Sequence, residues 1–422
     1  MWNIKRQLNK LKKALNALIE ISDGNTLNLN TAYYQSRMLT ESRILLKKLN
    51  KQRLNVVLIV FEPATWLMFQ SIYETFSKDE RIHITVVAIP YAHSTLPAGT
   101  YKDDGMREYL DKLGIPYIYG YNEMTEEWID LFDLHPDYVF YQAPYNAMYP
   151  NVLQSGNVSK FACICYVPYG ASLTKNRIQE IIFPKDFFSH TTLFFFETDI
   201  HKKMLLDFMR TKGLYLSEKN VIVSGSTILE TLRSGFQTEK NKKYFTILWT
   251  PRWNTGEGYC TFFDYYSELV EYTEQNENIR LIFRPHPLLF QNFLSTGELS
   301  ADDVESIKRK FSTERLILDT QADYLTSFNM ADILVADITS LLYDFFATGK
   351  PIIYTSKKDE LNLFGLELSS AFYKVSNWDE LVKTINFISA GDLPLKSITQ
   401  ELINKYFKNI PSSQVILNEL LS

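Results

Sequence analysis

Residues 332–355 read DILVADITSLLYDFFATGKPIIYT. The stretch 332–337 is apolar inside and acidic at both ends, as in a short strand buried on both faces. Thr339 and Ser340 come next, and both residue types cap helix starts well. The apolar run LLYDFFATG then reads as a helix, and KPIIYT (350–355) as a second strand. A strand, a helix and a strand of these lengths predict a parallel sheet covered by helices.

The same alternation continues outward. Upstream lie YFTILWT (244–250), IRLIFR (279–284) and RLILD (315–319), with helical stretches between them. Farther back comes a second series: NVVLIVF (55–61), HITVVAI (83–89), IPYIYG (115–120), DYVFYQ (137–142), KFACICYV (160–167), TTLFFFE (191–197) and KNVIVSG (219–225). Ser226 follows that last run and can cap the next helix. Between the series, RSGFQTEKNKK (233–243) is polar and has no hydrophobic period, as expected of a linker. The expected fold class is α/β, with two Rossmann-like parallel-sheet domains facing a cleft, at 55–235 and 236–395. A basic helical extension (1–54) precedes them and helices (396–422) follow.

Composition fits this plan. The chain has 422 residues, 45% apolar and 22% charged, which suits two soluble domains. No apolar run reaches 18 residues, and no secretory signal is evident, so neither a transmembrane helix nor export is expected. Cys163, Cys165 and Cys260 form no disulfide framework or zinc spacing and read as buried thiols of a cytoplasmic protein.

Charge is uneven. Residues 1–53 carry eleven Lys and Arg against three acids, so with a chain total of −5 the remainder carries −13. An acidic body argues against nucleic acid as a partner. The basic arm suits an anionic membrane surface or an acidic partner. Ile4, Leu8, Leu11, Leu15 and Leu18 recur at helical spacing with basic residues between them. That pattern fits an interfacial helix, a helix packed on its own domain, or one pairing with another chain in an oligomer. On the first reading, deleting residues 1–20 weakens sedimentation with anionic vesicles, and undiminished sedimentation refutes it.

Ligands of doubly wound sheets bind beyond the carboxyl ends of the strands. In the second series those ends carry Pro251-Arg252-Trp253-Asn254, Arg284-Pro285-His286-Pro287, and Asp337 followed by Thr339-Ser340. The prolines hold His286 in a stiff, extended segment. Arg252 and Arg284 can grip phosphate oxygens bidentately. Thr339 and Ser340, with free amides at a helix start, can bind an anion. His286 can donate to a leaving phosphate or shuttle a proton. The set reads as a pyrophosphate site. Neither a phosphate loop nor a G-x-G-x-x-G turn is present, and no H-E-x-x-H or paired-acid metal motif stands at a strand end. No cofactor and no metal is expected.

At these residues the chain resembles the CDP-glycerol glycerophosphotransferase family, the teichoic-acid polymerases and primases. DILVADITSLLYDFFATGKPIIY (332–354) is similar to the family's D-I-L-I-T-D-Y-S-S-x-x-F-D-F block and K-P strand. ILWTPRW (247–253) resembles its Y-A-P-T-W-R block, and RPHP (284–287) its R-x-H-P block. VSGST (223–227), with Gly225 and Ser226, stands where the family has G-x-P-R. Order and spacing agree over roughly 137–355. The resemblance implies a GT-B fold whose closing helices cross back to the first domain. It also implies transfer of glycerol phosphate, or a related alditol phosphate, from a CDP-activated donor to a hydroxyl. The acceptor is lipid-linked or a growing teichoic-acid-like or capsular polymer at the inner membrane face, and CMP leaves. By position, His286 matches the histidine near the leaving phosphate, and Thr339 and Ser340 the phosphate-binding serine pair.

The family's W-H-G motif departs here. The stretch is CYVPYGASL (165–173): Gly170 matches, and Tyr169 stands where the base histidine belongs. An ordinary tyrosine, titrating near 10, is a poor base at neutral pH. Four readings stay open. Tyr169 positions the acceptor while His190, Glu197 or His201 serves as base; the transfer needs little base; the donor differs; or catalysis is lost. The alternatives to polyol-phosphate transfer are a GT-B glycosyltransferase using a nucleotide sugar and a non-catalytic nucleotide-binding subunit.

Overall fold

A computed structural model describes residues 29–92, 100–175, 183–237, 242–355, 357–358 and 360–422. The expected amphipathic helix of residues 4–18 lies outside them. Two compact units emerge. One holds the described residues among 1–169, 180–227 and 411–422, and the other those among 170–179 and 228–410. The first division therefore falls at 227/228 rather than 235/236, because helix Thr227–Gly235 goes with the second unit from Ile228 onward.

The first unit is built on strands β1 (Leu54–Val60), β2 (Ile82–Ala88), β3 (Tyr117–Tyr119), β4 (Tyr138–Tyr141), β5 (Cys163–Tyr166), β6 (Thr191–Phe196) and β7 (Val221–Val223). They pair in parallel in the order β3-β2-β1-β4-β5-β6-β7. Leu58, for example, lies opposite Val86 on one side and Phe140 on the other. β4 and β5 are buried at every position, as continuous apolar strands sandwiched between helices must be. The second unit repeats the scheme with β8 (Phe245–Thr250), β9 (Ile279–Phe283), β10 (Leu316–Leu318), β11 (Ile333–Ala336), β12 (Ile352–Tyr354) and β13 (Tyr373–Lys374). Their order is β10-β9-β8-β11-β12-β13. In each unit the order reverses beside the first strand, between β1 and β4 and between β8 and β11, and that reversal opens the crevice. The whole is a GT-B-like α/β architecture. The two-residue β13 is too short to show a strand pattern in the sequence.

Both units close the start of their central strands in the same way. Asp137, just before β4, accepts the Asn55 amide at 2.8 Å, and Asp332, just before β11, accepts the Thr246 amide at 2.8 Å. A lysine neutralises each, Lys47 at 2.6 Å and Lys242 at 2.8 Å. Pairing offsets part of the cost of burying the Asp137 carboxylate.

Lys47 lies on helix Leu29–Leu49, with Arg37 and Arg43. Arg43 donates to the carbonyls of Pro136 (2.7 Å) and Phe161 (2.9 Å), and Arg37 to Thr192 Oγ1 (2.9 Å). Part of the basic arm thus docks this helix on its own sheet. At the other end of the chain, helix Ser412–Leu421 packs on helix Leu67–Phe76, where Ser413 and Thr75 hydroxyls meet at 2.7 Å. Helix Lys396–Tyr406 stays in the second unit, tied by Lys405 to Glu367 at 2.6 Å. Only the last of the closing helices belongs to the first unit. Among the described residues no helix is long and apolar enough to cross a membrane.

Candidate functional site

The chain leaves β8 at Pro251-Arg252 and β11 at Asp337. Asp337 is fully buried. Its Oδ1 accepts the Arg252 amide at 2.7 Å, and its Oδ2 accepts the Thr261 amide at 2.8 Å and the Thr261 hydroxyl at 3.0 Å. Thr261 passes the network to Thr355, beyond β12, at 3.0 Å. Burial pushes the Asp337 carboxyl up to about 7, against the pull of these donors and of Arg252. Asp337, expected to bind the ligand, ties the crevice walls together through these bonds. Gln142 does this work in the first unit: its Oε1 accepts the amides of Phe61 (2.7 Å) and Glu62 (2.9 Å), and its Nε2 donates to the Glu62 carbonyl at 2.6 Å.

Arg252 is paired across five residues with Glu257, Nε to Oε2 at 2.5 Å and Nη2 to Oε1 at 2.9 Å. Arg284 is committed more deeply. Its Nη1 donates to Asp319 at 2.6 Å and its Nη2 to the Gln321 carbonyl at 2.7 Å, and its guanidinium lies 5.4 Å from the Tyr324 ring. Tyr324 in turn donates to the buried Asp344 at 2.7 Å. Arg284, expected to grip phosphate, holds the loop after β10 to the rim with its fork on Asp319 and the Gln321 carbonyl. Lys350, of the K-P strand, donates to the carbonyls of Phe328 (2.6 Å), Asn329 (3.1 Å) and Ala331 (2.7 Å), closing helix Leu325–Met330.

His286 keeps an exposed edge. Its Nδ1 accepts the Leu288 amide at 3.1 Å, and its ring centroid lies 5.7 Å from that of Trp253. Desolvation, and then the nearby Arg252 charge, hold the imidazole well below its ordinary 6.5, so it is neutral at neutral pH. With Nδ1 accepting, the proton sits on Nε2, and the ring is a donor there. The two prolines fix the backbone that presents it.

Thr339 and Ser340 precede the short helix Leu341–Phe346. The Thr339 hydroxyl accepts the Leu341 amide at 3.3 Å, while Ser340 makes no side-chain cap and is exposed. Gly170, in the segment that belongs to the second unit, sits against Ser340: a Cβ at Gly170 would lie 3.1 Å from the Ser340 Cβ. That segment is locked by Asn362, whose Nδ2 donates to the Ser172 carbonyl at 2.9 Å and whose amide donates to the Leu173 carbonyl at 2.8 Å. The structure thus gathers Arg252, Trp253, His286 and Asp337 at one rim, and Gly170 with Ser340.

Tyr169, Gly225 and Ser226 lie in the first unit. Gly225 takes φ +82°, a turn conformation that favours glycine, and its amide donates to the Phe196 carbonyl at 3.2 Å. The Tyr169 hydroxyl shares a 2.8 Å hydrogen bond with Tyr145.

Sequence reasoning passed over Glu257, Asp319, Gln142 and Glu62. Asp319, Gln142 and Glu62 stand at or next to strand ends, so applying the strand-end rule to every strand finds them. Burial, and then Asp104, push the Glu62 carboxyl up to about 7, with Lys102 opposing. A raised folded pKa gives stability that is full below the unfolded value and is lost as pH climbs through about 7. Glu62→Gln removes this dependence. Its melting temperature relative to wild type is expected to rise between about pH 5 and about pH 8. Parallel curves across that window contradict the assignment.

Residues 222–361 match the family model described as CDP-Glycerol:Poly(glycerophosphate) glycerophosphotransferase. The resemblance read from the sequence is borne out there. The match contains Arg252, Arg284, His286, Asp337, Thr339, Ser340, Gly225 and Ser226, and it begins after Tyr169 and Gly170. It supports a transferase reaction of the glycerophosphotransferase kind. Comparison with curated proteins gives no significant match. Among solved structures the chain is similar to the UDP-GlcNAc 2-epimerase from Neisseria meningitidis bound to UDP-GlcNAc, at 14% identity and TM-score 0.58, over 87% of this chain and 100% of that one. The UDP-GlcNAc 2-epimerase from Methanocaldococcus jannaschii matches at 14% identity and TM-score 0.55, over 88% and 100%. The wall teichoic acid polymerase TagF matches at 12% identity and TM-score 0.50, over 98% and 97%. These likenesses speak to fold.

Proposed function

We propose, from the glycerophosphotransferase signature of residues 222–361, that the chain transfers glycerol phosphate or a related alditol phosphate from a CDP-activated donor to a hydroxyl, releasing CMP. The observation that carries this reading is the rim of the second unit. A neutral imidazole with its proton on Nε2 stands beside Arg252, and an exposed serine and the Gly170 backbone stand beyond Asp337. A neutral donor suits a phosphate that gains charge as its bond to the transferred group breaks. Ser340 and Thr339 hold the diphosphate, and Arg252 supplies positive charge once Glu257 yields part of its pairing. Arg284 and Asp337 position this rim without touching the donor.

The acceptor is a hydroxyl of a teichoic-acid-like or capsular polymer, lipid-linked or free, and the basic residues before position 29 draw the enzyme to an anionic membrane surface. Equilibrium dialysis tests donor choice. Binding of CDP-glycerol or CDP-ribitol, weakened in Ser340→Ala, is expected. Preference for a UDP-sugar over both refutes the reading.

A further inference from the structure

Tyr169 leaves the acceptor side without its expected histidine, and the sequence offered His190, Glu197 and His201 in its place. The first unit separates them. His190 immediately precedes β6, at the amino end of a parallel sheet. Its Nδ1 meets the Ser155 hydroxyl at 3.0 Å, and its ring packs edge-on against Tyr33 at 5.7 Å. Ligands bind at the other end.

Glu197 immediately follows β6, at the carboxyl end. Its side chain is 5% exposed, and among the described residues its Oε2 makes no hydrogen bond. The nearest basic atom is His201 Nδ1 at 3.4 Å, and His201 Nδ1 also meets the Thr198 hydroxyl at 3.0 Å. Thr198 caps helix Asp199–Thr211 by accepting the His201 amide at 3.3 Å. A buried carboxylate oxygen left without a donor costs stability and calls for a reason. Beside it, at the carboxyl ends of β4 and β5, stand tyrosines. Tyr166 feels both Tyr169 and Glu197, and Tyr145 feels Tyr166 and Tyr169. Tyr169, 39% exposed, presents the accessible hydroxyl of this group.

We infer that Glu197 is the proton acceptor of the first unit, serving a neutral polyol or sugar hydroxyl that the Tyr145–Tyr169 hydroxyl pair positions. The inference rests on the transfer reaction proposed above. In the step, the acceptor oxygen forms its bond to the phosphorus of the alditol phosphate. The phosphorus–oxygen bond to CMP breaks, and its electron pair leaves with CMP. The acceptor's hydroxyl proton passes to the Glu197 carboxylate. The tyrosine-lined rim and the buried carboxylate favour a neutral hydroxyl end over an anionic one. Desolvation pushes the Glu197 carboxyl up to about 7, so it exchanges protons near neutrality. Among the described residues, the titratable groups facing it are His201, from the helix that follows, and Tyr166, from the neighbouring strand.

The test compares wild type, Glu197→Gln and Tyr169→Phe for CMP release from CDP-glycerol, with a polyol acceptor, across pH. Glu197→Gln is expected to lower kcat on the order of a hundred-fold, to leave the donor KM unchanged, and to lose the acid limb of the pH profile near 7. Tyr169→Phe is expected to raise the acceptor KM and to retain that limb. A Glu197→Gln enzyme with normal kcat, or one that keeps the limb, overturns the inference while the transfer reaction stands. Should Glu197→Gln fail to fold, Glu197→Asp is read in its place: an unshifted limb overturns the inference, and a shifted one supports it. Wild type that releases no CMP from any CDP-polyol instead overturns the proposed function on which the inference rests.

Discussion

His286→Ala is expected to reduce kcat on the order of a hundred- to a thousand-fold, with the melting temperature unchanged. Among the described residues the imidazole makes one hydrogen bond, to the Leu288 amide two residues on, and a ring contact to Trp253. Among the described residues it closes no long-range network, and its exposed edge bears little of the core. Removing it takes away the Nε2 donor and leaves β9 and its buried residues in place. Since the ring is already neutral, wild-type turnover should show no limb from this group near pH 6.5. Near-normal kcat in the variant removes His286 from the mechanism.

Arg284→Ala is expected to act the other way, costing about 3–5 kcal/mol of stability, as breaking a buried ion pair does. The variant takes the countercharge from the Asp319 carboxylate, which is 9% exposed and keeps the Ser327 hydroxyl and the Gln321 amide as donors. It also frees the Gln321 carbonyl and removes the stack on Tyr324. Arg284→Lys keeps the charge but has no planar fork to reach Asp319 and Gln321 together, so it should restore only part of the loss. Denaturant unfolding measures both variants. A stable Arg284→Ala protein with weakened donor binding alone shows that the arginine grips phosphate after all.

The contrast between these two neighbours shows what was legible in the sequence. Alternating apolar runs with capped helices were enough for two parallel sheets, because strands buried on both faces read as short continuous apolar runs between helices. The strand-end rule placed Arg252, Arg284, His286, Thr339 and Ser340 at one end of one sheet. What it could not tell is which of them face a partner within the protein. Arg284 and Asp337 look like ligand groups until Asp319, 35 residues away, and Thr261, 76 residues away, are seen against them. Those pairings depend on loop closure and carry no local pattern. The repeated clamp of Asp137 on Asn55 and Asp332 on Thr246 was hidden for the same reason, although each aspartate stands one residue before its strand. His286 was the more readable residue because proline stiffness is written in the chain itself.

The central claim is that the bond broken lies between the two phosphates of a CDP-activated polyol. The direct measurement is the nucleotide released when the full chain is given CDP-glycerol, CDP-ribitol and a set of UDP- and CDP-sugars with a polyol-phosphate acceptor. CMP released from a CDP-polyol in step with acceptor elongation is the predicted result. Release of UDP or CDP from a sugar donor, with none of CMP, contradicts it.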